Sequence, residues 1–216
     1  MPVDAPAYPV NLLVEGRRVL VVGGGMVALE KVRGLLEAGA VVHLVAPAVV
    51  AELHELPLSI EVRLYERGEV AGYRLAVACT DDPEVNQAVF DDGEAAGVWV
   101  NAADDPERCS YTLPARLRRG PLLVTVSTAG HSPAYTAWLR DQLGEHIGPE
   151  HDALLELLAA TRAELRAEGR RPPAASWRQA LDSGMLDLIR SGHTAEARDL
   201  LRSTLDLGSV PPPESR

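Results

Sequence analysis

Val19-Leu20-Val21-Val22-Gly23-Gly24-Gly25-Met26-Val27-Ala28 carries four apolar residues, enough for a buried strand, straight into three glycines. Leu29-Glu30-Lys31-Val32-Arg33-Gly34-Leu35-Leu36-Glu37-Ala38-Gly39 then has the periodicity of an amphipathic helix closed by a glycine. The junction is therefore strand, tight turn, helix. Gly23 would let the chain turn at a backbone angle denied to side chains, and Gly25 would admit a pyrophosphate close to the backbone. Ala28 is small enough for the helix to pack on the strand. Phosphates would sit over unpaired N–H groups at the positive end of that helix. A glycine triplet also serves ordinary βα turns, so the flanking sequence matters. Val41-Val42-His43-Leu44-Val45-Ala46-Pro47 supplies a second apolar run after the Gly39-Ala40 turn and completes a βαβ unit. The acid that usually meets the ribose hydroxyls is missing at the end of this second strand, and so is an arginine for a 2′-phosphate. A dinucleotide is indicated, but these residues do not distinguish NAD from NADP.

At 216 residues the chain can build one large core or two small ones. Its 46% apolar and 24% charged residues suit an ordinary soluble protein, and no apolar run approaches the ~20 residues of a membrane helix. The start, Met1-Pro2-Val3-Asp4-Ala5-Pro6, lacks the basic and apolar regions of a signal peptide. Cys79 and Cys109 stand far apart with no histidine at ligand spacing. This argues against a disulfide framework or a zinc site, and for a reducing, cytoplasmic setting. The formal net charge of −10 disfavours nucleic acid or an anionic membrane as partner. It also means that any polyanionic substrate must meet locally gathered arginines.

Outward from the glycine junction, residues 8–14 alternate as a short edge strand, and 48–56 form a short helix with His54 on its solvated side. Residues 60–65 alternate at period two, and 74–79 are apolar on both faces, as in a sheet flanked by helices. Thr80-Asp81-Asp82-Pro83 are ordinary starting residues for a helix over 84–96. In a doubly wound sheet, however, the carboxyl ends of the strands line the ligand crevice, which would turn Thr80 and Asp81 to the cofactor. A fifth strand over 98–101 ends in Asn101 and leads into Ala102-Ala103-Asp104-Asp105-Pro106, with Asp104 at its crevice end and Asp105 as a turn residue. Residues 114–119 are expected as a short basic helical segment and 122–127 as a strand. Ser132-Pro133 would cap and open a helix over 134–144. Beyond Gly148-Pro149 the pattern is helical over 151–167, 177–190 and 194–205, with Leu154, Leu155, Leu157, Leu158 and Leu165 largely on one stripe. Residues 208–216, with three prolines in a row, are expected to be disordered.

Taken together these residues resemble the precorrin-2 dehydrogenases, which also form the N-terminal half of multifunctional siroheme synthases. The resemblance rests on Tyr8-Pro9, Leu12, Gly16-Arg17-Arg18 with residues 19–25, Val27-Ala28, Lys31, Val32 and residues 35–40. It continues through Ala46-Pro47, Ala78, Thr80-Asp81-Asp82-Pro83, Val100-Asn101, Asp104 and Pro106. It ends with Arg119-Gly120-Pro121-Leu122, Val126-Ser127 and Ser132-Pro133-Ala134. About residues 8–145 are covered; the helical tail is similar only in length and character.

What this implies is an α/β fold. A Rossmann-type parallel sheet would form an NAD-binding domain over 1–112, followed by a small α/β dimerisation segment over 113–147. An α-helical domain over 148–207 and a disordered tail over 208–216 would complete the chain. The implied activity is NAD-dependent oxidation of precorrin-2 to sirohydrochlorin in siroheme biosynthesis, in homodimers that exchange about residues 113–147, with the helical tail helping to cover the tetrapyrrole cleft. A methyltransferase half would need its own core, so a complete siroheme synthase is not expected.

For the site, the resemblance implies Asp104 as the catalytic aspartate, and its position at a strand end suits a general base. It places the cofactor loop on Met26 and Val27, beside Gly23, Gly25 and Ala28, and further contacts on Pro47 and Ala48. Thr80, Asp81 and Asn101 complete the cofactor set. Precorrin-2 is a polycarboxylate, for which Arg116, Arg118 and Arg119 form the densest basic cluster, with Arg140 on the following helix. Ser127, Thr128 and His131 belong to the loop that would face the substrate. Three positions depart from the family pattern: Ala129 stands where glycine is usual, His131 where a small residue is usual, and Met26 where an acid is frequent. No metal site is expected, because His131 has no companion at ligand spacing. Two other readings remain open. One is a chelatase inserting iron or cobalt into sirohydrochlorin, alone or as a second activity, with Asp104 implicated in both. The other is a non-catalytic dinucleotide sensor whose helical tail meets a partner; no DNA-binding motif supports that reading.

Overall fold

The computed structural model describes residues 7–103 and 105–205. Its central strand, β1 (Arg18–Val22), divides its side chains between two layers. Val19 and Val21 pack with Ala28, Val32, Val42 and Leu44, whereas Leu20 and Val22 pack with Val45, Ala76, Val89 and Val100. A strand buried on both faces needs helices on both sides, which is why its sequence is apolar without alternation. The surrounding elements are α1 (Met26–Glu37), β2 (Val41–Ala46), α2 (Ala51–His54), β3 (Ser59–Val62), β4 (Leu75–Ala78), α3 (Pro83–Ala96) and β5 (Trp99–Ala102). The strands are all parallel, in the order β3-β2-β1-β4-β5. The chain builds outward from β1 to β3, crosses back, and continues from β4 to β5. This leaves a topological switch between β1 and β4, where a doubly wound sheet opens a crevice at its carboxyl edge.

Local chemistry sets the element ends. Asp82 caps α3, its carboxylate accepting from the Glu84 N–H at 2.8 Å, and Gly97 closes the helix in the left-handed conformation. The long connection from β3 to β4 is held by one buried carboxylate. Asp92 on α3 accepts from the Tyr65 hydroxyl (2.7 Å), the Gly68 N–H (2.7 Å) and Arg67 Nε (2.9 Å). Burial alone would raise the pKa of Asp92, but the Gly68, Tyr65 and Arg67 donors outweigh it and hold the group below its ordinary value.

Residues 8–14 form no strand, contrary to the alternation read in the sequence. Both edges of β1, the strand this segment leads into, are already taken by β2 and β4, and Tyr8, Val10, Leu12 and Leu13 are exposed. Alternation alone, with no pairing to the adjoining strand, does not make a strand.

The chain divides into two compact units, Met1–Leu113 with Thr128–Ser132, and Pro114–Ser127 with Pro133–Arg216. In the second unit β6 (Ala115–Arg119) and β7 (Leu122–Val126) form an antiparallel hairpin with Leu117 opposite Val124. This corrects the helix expected over 114–119. Ala115 and Leu117 alternate with Arg116 and Arg118, and Gly120, at φ +48°, makes the two-residue turn with Pro121. After α4 (Pro133–His146) come α5 (Glu150–Ala167), α6 (Ala174–Asp182), α7 (Met185–Arg190) and α8 (Thr194–Thr204). Their core is Leu154, Leu157 and Leu165 of α5 against Ala180, Met185, Ile189, Ala197 and Leu201. Arg190 and Arg202 tie α7 and α8 to α5 through Glu150 (2.9 Å) and Glu164 (3.0 Å). The single helix expected over 177–190 is broken after Asp182, because Gly184 adopts φ +89° and starts α7 in a new direction. Residues 208–216, expected to be disordered, lie outside the described residues.

Candidate functional site

The glycine junction is shaped by what surrounds it. Gly23 has φ +126°, a left-handed-region angle, and a side chain there would also overlap the Cys79 carbonyl oxygen. The turn is drawn against the sheet edge by Gly23 N–H to Val45 O (3.0 Å) and Val50 N–H to Gly24 O (2.9 Å). Gly25 is different: a Cβ built on it would meet no atom within 4 Å. Gly25 is also the N-cap of α1, makes no side-chain cap, and is followed by no acidic residue in the first turn. The first N–H groups of α1 thus face open space at the positive end of a helix, which suits a pyrophosphate. This cradle fits a dinucleotide. Met26 and Val27 are exposed at its rim, and Ala28 is fully buried beneath it. Pro47 and Ala48 are exposed beyond the end of β2.

Beside this turn, Cys79 directly follows β4, with its thiol directed to Val22 O at 3.4 Å. Burial pushes its pKa up to about 12, against an opposing pull from the Lys31 charge, so the group is a neutral thiol. Thr80 is tied to α3: its hydroxyl and N–H both donate to Asn86 Oδ1 (2.9 and 3.2 Å), and Asn86 Nδ2 donates back to Thr80 O (2.9 Å). Asp81 is exposed at the same strand end. Capping falls to Asp82, one residue beyond the pair singled out in the sequence.

Asn101 is buried at the end of β5, where Nδ2 donates to Tyr111 O at 3.0 Å and lies 3.4 Å from Cys109 Sγ. It latches the returning segment, since Asn101 and Cys109 also form an isolated antiparallel bridge. The Ala103 N–H donates to Ala78 O (2.8 Å), carrying the β4–β5 pairing one step past β5. Asp104, the expected base, lies outside the described residues. Asp105 caps the short 3-10 turn that follows and pairs with Arg108.

A cleft of about 240 Å³ opens here, lined by Val27, Glu30, Lys31, Asn101, Ala102, Ala103 and Leu113. It brings together two expected cofactor residues, Val27 and Asn101, that are far apart in sequence. Pro47, Ala48, Thr80 and Asp81 do not line it. Lys31 was not singled out for a role in the sequence, because its place on α1 is ordinary for a helix surface. Its signal lies in composition, since the chain has twenty arginines and this single lysine.

Of the residues expected to meet substrate, Thr128 and His131 form a turn, with the Ser132 N–H donating to Thr128 Oγ1 (3.1 Å) and the His131 N–H to Thr128 O (3.0 Å). Ala129 within it has φ +50°. Arg116 and Arg118 are exposed on one face of β6. Arg119 Nε donates to Ile147 O (3.3 Å), and Ser127 is exposed just after β7. These four residues belong to the second unit. Among the described residues no three of His, Cys, Asp or Glu converge as a metal site, and no helix is long and apolar enough to cross a membrane.

Residues 10–115 match a family model described as "Putative NAD(P)-binding", and residues 119–146 match one described as "Sirohaem biosynthesis protein central". Siroheme synthase from Azotobacter vinelandii is 37% identical over 92% of this chain, and that from Chromobacterium violaceum is 36% identical over 94%. In both cases the match takes in 44% of the relative, so the chain spans less than half the length of these curated relatives. Among solved structures, "SirC, precorrin-2 dehydrogenase" superposes with a TM-score of 0.72 at 25% identity, covering 93% of this chain and 100% of that one. With the five-stranded parallel sheet, the glycine cradle and a full-length structural match in agreement, the chain is a homologue of the siroheme synthases over the part of them it spans and shares the fold of a precorrin-2 dehydrogenase.

Proposed function

We propose that the protein oxidises precorrin-2 to sirohydrochlorin with NAD. The observation that carries this reading is the open, uncapped start of α1 at Gly25, adjoining a cleft that reaches the carboxyl end of β5. Bound NAD would supply the hydride acceptor, becoming NADH as the macrocycle loses a hydride and a proton. The chain's own part is threefold. Gly23, Gly24 and Gly25, with the first N–H groups of α1, hold the pyrophosphate. Met26, Val27, Ala28, Pro47, Ala48, Thr80, Asp81 and Asn101 shape the cofactor bed. Asp104 takes the proton, a role that rests on the family resemblance and on its place directly after Ala103.

Residues 113–147 serve in this reading as a dimerisation segment, residues 148–207 as a helical domain, and the protein acts in the cytoplasm. Dimerisation is supported by Trp138 on α4, a large aromatic side chain that is about half exposed, since aromatic residues are enriched at protein interfaces. Arg116, Arg118, Arg119, Ser127, Thr128 and His131 would then meet the carboxylates of the substrate.

The test is anaerobic incubation with precorrin-2, with and without NAD, followed by the absorption spectrum. Sirohydrochlorin is expected only when NAD is present. Formation of a metallated tetrapyrrole from sirohydrochlorin and cobalt, with no oxidation of precorrin-2, would replace the reading with that of a chelatase.

A further inference from the structure

The chain has twenty arginines and one lysine, and the lysine is in the cleft. Elsewhere cations and acids are joined by guanidinium groups. Arg63 spans Glu61 and Glu69, Arg67 reaches Asp92, and Arg190 and Arg202 clamp α5. A sequence that meets every other need for positive charge with arginine has a reason to keep an ammonium at one position. The two groups differ physically: guanidinium is a broad planar fork, ammonium a compact point charge with three rotatable donors.

Lys31 is placed to use that difference. Its side chain is only 20% exposed, and among the described residues that line the cleft it is the one cation. Its ion pair is with Glu30, 3.3 Å away, whose side chain is 74% exposed. Neighbouring positions on a helix do not face each other, and an exposed acid of that kind holds a cation weakly. Lys31 shares the cleft wall with Asn101, Ala102 and Ala103, the carboxyl end of β5 and the residue after it. The pyrophosphate has its own partners in the uncapped N–H groups of the first turn of α1, which starts at Met26, five residues before Lys31. Among the described residues the rest of the cleft wall is Val27, Ala102, Ala103 and Leu113 with Asn101 and Glu30, none of them positively charged.

We infer that Lys31 is a substrate-positioning residue whose ammonium holds a carboxylate of the tetrapyrrole at the β5 end of the cleft. The inference rests on the dehydrogenase reading above and adds a residue to it. In a chain of net charge −10, a polycarboxylate entering this cleft gains a local counter-charge from Lys31, and the macrocycle is thereby oriented.

The test compares Lys31→Met, Lys31→Gln and Lys31→Arg with the full-length wild type in three measurements. These are KM and kcat for precorrin-2 at saturating NAD, the dissociation constant for NAD, and that for sirohydrochlorin by quenching of tryptophan fluorescence. Removing the charge should raise KM and the sirohydrochlorin constant together by roughly ten- to a hundredfold, the worth of one charge-assisted hydrogen bond, with NAD binding unchanged. Lys31→Arg should recover some of the loss, since charge returns without the shape. Weakened NAD binding with an unchanged sirohydrochlorin constant would overturn the inference in favour of a cofactor contact. Unchanged values in all three measurements would overturn it outright. A wild type that binds sirohydrochlorin but does not oxidise precorrin-2 would sink the dehydrogenase reading, while the binding comparison would still decide the role of Lys31.

Discussion

Gly24 is pressed against Ala48: a Cβ on Gly24 would overlap the Ala48 carbonyl oxygen and crowd the Val49 Cα, so the glycine turn and the end of β2 are packed backbone to backbone. Gly25, one residue on, faces open space. The two glycines should therefore fail in different ways. Gly24→Ala must push the two backbone segments apart and is expected to cost about 1–3 kcal/mol of stability, the usual penalty of overpacking. Gly25→Ala should leave stability within about 0.5 kcal/mol, as a substitution into free space does. It should nevertheless weaken NAD binding about tenfold or more by occupying the place of the pyrophosphate. Urea denaturation and NAD titration of both variants check this.

Ala129 carries a backbone angle that suits glycine. With φ +50° it bears the left-handed penalty of about 1–2 kcal/mol, partly offset because glycine would lose more entropy on folding, about 0.5–1 kcal/mol. Ala129→Gly is expected to stabilise the protein by up to about 1 kcal/mol, a rise in Tm of roughly 2–4 °C. Ala129→Val should destabilise it. Thermal melts of the three proteins at one concentration give the order.

Asp92 should carry a share of the acid sensitivity of the fold. Its pKa is depressed in the folded state, so its contribution is fully present above the unfolded value near pH 4 and is lost as pH falls through the lower folded value. Asp92→Asn is expected to lower stability at pH 7 by about 2–4 kcal/mol, because a buried acceptor of three donors is weakened. It should also flatten the decline of stability below about pH 4. Denaturation midpoints measured from pH 7 downward test both effects.

Asp104 is the candidate base in the dehydrogenation. Asp104→Asn is expected to lower kcat by roughly 10²–10⁴-fold, the usual contribution of a general base, and to leave the NAD dissociation constant unchanged. Steady-state kinetics beside an NAD titration separate the two effects.

The glycine junction and the sheet it opens were legible because their determinants are local: an apolar run, a turn that only glycine permits, and a helix with one apolar face. Residues 8–14 and 114–119 depart from their sequence patterns for one physical reason. The state of a short segment depends on whether a partner edge exists, which β1 denies to the first and β7 offers to the second. Gly184 was legible in principle, since a glycine inside a helical pattern is a place for a left-handed break. At the site, the sequence pointed to Val27 and Asn101, and the fold brings them to one cleft. It passed over Lys31, whose meaning lies in a count over the whole chain and in the fold's bringing α1 and the end of β5 to one cleft.

The most direct measurement of the central claim is the stoichiometry of a single anaerobic turnover, with NADH followed by fluorescence and sirohydrochlorin by absorbance. The two should rise together in equal amounts, and both should be suppressed in Gly25→Ala. Sirohydrochlorin forming without NADH, or neither forming while NAD is shown to bind, would contradict the account.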